Sequence, residues 1–74
     1  MQFEVGKQYQ ITDAQGVSII FECRAVQFSP DPVLYPMPSY LAGYYSMLAS
    51  IKCSDVAAGL KNGCLALCVE VPQQ

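Results

Sequence analysis

Lys7-Gln8-Tyr9-Gln10-Ile11-Thr12-Asp13-Ala14-Gln15-Gly16-Val17-Ser18-Ile19-Ile20-Phe21-Glu22-Cys23-Arg24 is the stretch that decides the fold. Tyr9 and Ile11 alternate with Gln8, Gln10 and Thr12, the period of a half-buried strand. Phe3 and Val5 begin the same alternation, but Gly6 and Lys7 interrupt it, so the strand proper is expected to start near Lys7. Ile19, Phe21 and Cys23, with Val17 and Ala25 at the ends, alternate with Ser18, Ile20, Glu22 and Arg24. Between the two runs, Asp13 can bond the backbone just ahead of it, and Gly16 can take a positive φ. The pair reads as a β-hairpin with a bulged or longer turn.

Beyond the hairpin the reading is less direct. From Pro32 to Ile51 the chain runs twenty residues without a charge. That run holds Tyr35, Tyr40, Tyr44, Tyr45, Met37 and Met47, and opens with Pro32, Pro36 and Pro38. Proline removes a backbone donor and disfavours helix before its ring, so an extended loop is expected from Ser29 to about Ala42. Ser39 to Cys53 admits two readings. As a helix, Leu41, Tyr44, Tyr45, Leu48 and Ile51 form one stripe. As a strand, Tyr45, Met47, Ala49, Ile51 and Cys53 share one face. Gly43 and the adjacent tyrosines favour a strand from Tyr44 to Cys53.

Ser54 to Gly63 has the signs of a short helix. Ser54 or Asp55 offers a cap oxygen, Lys61 suits the last turn, and Asn62-Gly63 is a terminator. Cys64 to Val71 reads as the final strand, with Leu65, Leu67, Val69 and Val71 on the core face and Cys64, Ala66 and Cys68 on the other. Phe21 and Leu67 are therefore expected in the core. The fold class is mainly β: a small curved sheet or partly open barrel of about four strands, with an N-terminal hairpin, a long Pro/Tyr loop and one short helix before the last strand. The alternative is α+β, with residues 39–53 helical. Residues 1–74 form a single small domain.

Composition narrows the function classes. Of the residues, 53% are hydrophobic and 14% charged, against about 25% charged in an average soluble domain. A chain so apolar is not disordered. A domain this small has little interior for such content, which points to a partner or a second copy. The net charge is −2, and Lys7, Arg24, Lys52 and Lys61 are scattered. No basic patch signals nucleic acid. The opening residues have no basic-then-apolar signal pattern. The uncharged run is broken by too many prolines and serines for a membrane span. A cytoplasmic protein with reduced cysteines is expected.

The chemistry-bearing residues are few. There is no histidine, hence no imidazole base and no Ser-His or Cys-His pair. The glycines form no phosphate-binding loop, and the six acids include no D-x-D pair. Cys64 and Cys68 lack the spacing of a zinc knuckle, and no metal or other cofactor is expected. Cys23, Cys64 and Cys68 read as buried thiols. Cys53, after Lys52, is the best candidate for a cysteine nucleophile, though neighbouring strand residues point to opposite faces. Arg24 is expected to pair with Glu22 or Glu70. Neither of these features points to an enzyme.

The tyrosines and methionines carry the functional reading. Tyrosine combines a rigid contact area with a polar tip, and methionine adapts to irregular surfaces. Tyr35, Met37, Tyr40 and Tyr44 are the expected partner-binding residues, with another protein or a second copy of the chain as the partner. A homo-oligomeric structural subunit is the alternative to a binding module, and a cysteine-dependent enzyme the third reading. The opening Phe3-Glu4-Val5-Gly6-Lys7-Gln8-Tyr9, feeding a hairpin, resembles the start of many small β-rich proteins carried by phages and other mobile elements. That resemblance implies an accessory or inhibitory protein and carries over no site residue.

Overall fold

The computed structural model describes residues 2–37 and 50–72. Among these residues, five antiparallel strands form a curled half-barrel sheet, with one short helix before the last strand. The strands are β1 (Gln8–Asp13), β2 (Ser18–Arg24), β3 (Val33–Pro36), β4 (Ile51–Lys52) and β5 (Leu65–Glu70), in the order β4-β3-β2-β1-β5. The helix α1 (Cys53–Asn62) joins β4 to β5.

The hairpin forms as its residues dictate. Asp13 Oδ1 accepts from the N–H groups of Gln15 and Val17, each at 2.9 Å. Gly16 N–H donates to Asp13 O at 3.1 Å, and Gly16 has a φ of 89°. This is a three-residue turn with glycine in the left-handed position, which matches the twist of the flanking strands. Its register sets Tyr9 opposite Phe21 and Ile11 opposite Ile19. All four are buried and face the concave side.

Three expectations are corrected. First, the stretch expected to be a loop from Ser29 to about Ala42 contains β3, with Val33 and Leu34 buried. The strand tolerates Pro36 because of its bonding direction. Met37 N–H donates to Ile20 O at 2.8 Å, so odd positions bond toward β2. The Pro36 nitrogen, which has no proton to give, faces away from β2. Among the described residues the sheet thus has five strands.

Second, Leu67 is not core. It is 50% exposed and Val69 40%, while Cys68 is buried. The cause is a register shift: Thr12 pairs with Leu67, but Asp13 pairs with Leu65, leaving Ala66 as an extra residue in β5. A bulge of one residue reverses which side chains face inward. Leu65 and Cys68 therefore reach the core together, although they are three apart.

Third, neither Ser54 nor Asp55 caps α1. The cap position is Lys52, in extended conformation, without a side-chain hydrogen bond. β4 runs straight into the helix, so both residues fall inside the first turn. Cys53 N–H instead donates to Pro32 O at 3.2 Å. The strand expected from Tyr44 to Cys53 is seen as Ile51–Lys52, and Cys53 starts the helix. The strand at Ile51–Lys52 also departs from the alternative helix over 39–53; the remainder of that stretch lies outside the described residues.

The core lies on the concave side, where Tyr9, Ile11, Ile19, Phe21, Cys23, Leu34, Cys53, Val56 and Cys68 form one cluster. Cys53, Val56, Gly59 and Leu60 turn one helical face toward the sheet. Gly59 allows the close approach: a Cβ there would sit 3.0 Å from Cγ and Cδ1 of Leu65. At one end Phe3 meets Tyr9 edge-on, with centroids 4.8 Å apart, and the Tyr9 hydroxyl accepts from Glu4 N–H at 2.8 Å. Lys7 Nζ bridges Glu4 at 2.8 Å and Glu70 at 3.2 Å, tying the N-terminal segment to β5.

Candidate protein-binding surface

The convex face of the sheet is where exposed apolar side chains gather. The ladder shows why. Even positions of β1 and β2 point outward, because Tyr9, Ile11, Ile19 and Phe21 point inward. The outer positions on β1 are Gln8, Gln10 and Thr12, all polar. On β2 they are Ser18, Ile20, Glu22 and Arg24. On β3, Tyr35 lies opposite Glu22, and just past its end the Met37 N–H bonds to Ile20 O. On β5, Leu67 lies opposite Thr12 and Val69 opposite Gln10. The face thus has an apolar region on β2–β3 and another on β5, separated by the polar side chains of β1.

Two of the four sequence-selected residues belong to the first region. Tyr35 is 37% exposed, beside Ile20 at 38%, and Met37 is half-buried. The Arg24 guanidinium carbon stands 4.9 Å from the Tyr35 ring centroid. Arg24 Nε donates to Glu22 Oε1 at 2.7 Å, so the pairing is with Glu22. Glu70 pairs with Lys7. The ion pair holds the guanidinium against the ring, which presets the orientation of Tyr35. Tyr40 and Tyr44 lie outside the described residues.

Sequence reading missed Ile20, Leu67, Val69 and Phe28. Ile20 is the one apolar residue on the outer face of β2, and its place beside Tyr35 and Met37 shows only once β3 is paired with β2. Leu67 and Val69 were hidden by the bulge. Phe28 is 97% exposed, in the β2–β3 connection, and has a φ of 66°. A bulky side chain in the left-handed region is strained by about 1–2 kcal/mol, and nothing in composition or periodicity signals that conformation.

The cysteines divide differently from the expectation. Cys23, Cys53 and Cys68 are buried, whereas Cys64 is exposed. Cys23 and Cys53 lie in the same core cluster. Burial, then the neighbouring Cys23 thiol and Asp31, push the Cys53 thiol up to about 12. Burial also raises Cys23 and Cys68. A nucleophilic cysteine needs a cation and access; Cys53 has the reverse of both. Among the described residues no three His, Cys, Asp or Glu side chains gather to hold a metal ion, and no helix is long and apolar enough to cross a membrane.

On the concave side a cavity of about 220 Å³ is lined by Ile11, Asp13, Val17, Ile19, Phe21, Ile51 and Leu65. Among the described lining residues the one carboxylate is Asp13, which accepts the hydrogen bonds of the hairpin turn. No protein-family model matches the chain, and no curated protein or solved structure is significantly similar to it.

Proposed function

We propose that the protein is a non-catalytic binding module that acts by occupying a surface on another protein through the β2–β3 part of its convex face. The observation that carries this is exposed Ile20 and Tyr35 on adjacent strands, outside the core, with half-buried Met37 just past the end of β3 and Tyr35 held under Arg24. Exposed apolar residues are common singly; grouped ones mark contact sites. An aromatic with an arginine beside it is the composition favoured at interface centres. The role that fits is an accessory or inhibitory protein of a phage or other mobile element. The small size, the acidity and the resemblance of the opening residues support it. Cytoplasmic residence, where thiols remain reduced, is consistent with four free cysteines.

Capture from host lysate tests this reading. Immobilised wild-type protein should retain at least one protein saturably. Tyr35→Ala should lose about 2 kcal/mol or more of that affinity, as for an interface hot spot, with its melting temperature nearly unchanged. No saturable partner in repeated trials, or equal retention by the variant, would count against the proposal.

A further inference from the structure

The second apolar region lies on β5, an edge strand of the sheet among the described residues, and its geometry specifies what can bind there. Val71 N–H donates to Gln8 O at 2.9 Å. In an antiparallel ladder this commits the backbones of Val71, Val69 and Leu67 to β1 and turns those of Cys68 and Glu70 outward. Among the described residues, no backbone bond reaches the outward side of either. The other edge, β4, is two residues long and includes Lys52. By contrast β5 runs Leu65–Glu70 without a proline or lysine; what guards this edge is the bulge at Ala66 and the charge of Glu70. The bulge at Ala66 confines the regular part of this edge to Cys68, Val69 and Glu70.

We infer that this edge is a self-association site, at which β5 pairs antiparallel with β5 of a second copy about a two-fold axis through Val69. This register joins Cys68 of each copy to Glu70 of the other and uses every outward backbone group of the regular stretch, four bonds in all. It sets Val69 directly opposite its symmetry mate on the convex face, with Leu67 of each copy opposite Val71 of the other. Glu70 faces Cys68, so no like charges oppose, and Lys7 already neutralises Glu70 within each copy. An axis through Glu70 would set two carboxylates opposite each other, and one through Cys68 would draw on the bulged Ala66. The partner is thus a second copy of this chain, on a surface separate from Tyr35.

Sedimentation at increasing concentration under reducing conditions tests the inference. The wild type is expected to form dimers by high micromolar concentration. Val69→Lys, which would place two cations at the axis, should remain monomeric with an unchanged circular dichroism spectrum, while Tyr35→Ala should dimerise as the wild type does. A register test guards against misfolding of the lysine variant. In a Cys64→Ser background, Val69→Cys places thiols on α-carbons about 4.5 Å apart. Oxidised glutathione should convert these thiols to an intermolecular disulfide, and should fail to do so for Leu67→Cys. A wild type that stays monomeric, a dimer that survives Val69→Lys, or equal cross-linking at the two positions would overturn the inference.

Discussion

Phe21→Ala is expected to remove about 3–5 kcal/mol of folding stability, the usual cost of truncating a buried aromatic. Phe21 is 2% exposed, sits opposite Tyr9, and lines the concave cavity. Alanine would remove part of the wall of that concavity and leave the contacts of the ring unreplaced. Domains of this size rarely have more than about 3–5 kcal/mol to lose, so the variant is expected to be largely unfolded at room temperature. Leu67→Ala, on the opposite face, should cost about 1 kcal/mol or less, because half of its side chain is already in water. Urea unfolding of both variants checks the pair. Comparable losses would mean that Leu67 faces the core and that the bulge at Ala66 is misplaced.

The second large effect is alkaline. Cys53 has its thiol raised from 9.0 to about 12, first by burial and then by Cys23 and Asp31. Burial raises Cys23 and Cys68 in the same direction. The folded state therefore holds these protons more tightly than the unfolded chain does. The resulting stability is complete below pH 9 and is lost as pH rises from 9 toward about 12. Within that window Cys53 contributes a slope of up to about 1.4 kcal/mol per pH unit, and Cys23 and Cys68 act in the same direction. Lys7, raised by Glu4 and Glu70, adds a loss in the same direction at the upper end. Urea midpoints measured with a phosphine reductant from about pH 8 to about pH 11 should fall steadily once the reference thiol range is passed. Cys53→Ala should flatten the curve. A wild-type midpoint independent of pH, or an unchanged slope in Cys53→Ala, would contradict this assignment.

The hairpin was legible because two independent signals agreed there. Alternation at Tyr9, Ile11, Ile19 and Phe21 marked the faces, and Asp13 with Gly16 marked the turn. The mainly-β class and the helix before the last strand followed from equally local evidence. What was misread depended on non-local pairing. The prolines around β3 resemble a loop until the ladder shows which side of Pro36 needs no donor. The β5 alternation points Leu67 inward until the Thr12–Asp13 register is known, because one inserted residue changes parity without changing composition. The absence of a side-chain cap on α1 reflects β4 running directly into it, a junction that short-range patterns do not encode. Of the candidate site, Tyr35 and Met37 were legible from residue type. Ile20 becomes meaningful only when β3 is placed beside it, and Phe28 only when its backbone is seen.

The division of labour between the two faces of the sheet is tested most directly by one stability measurement. The double variant Ile20→Thr/Tyr35→Ala removes the apolar contact surface on β2–β3 and leaves the concave cluster untouched. Its unfolding free energy in urea should lie within about 1 kcal/mol of the wild type, as for surface substitutions. A loss approaching that of Phe21→Ala would show that these side chains hold the fold together, and the binding surface proposed on this face would have no basis.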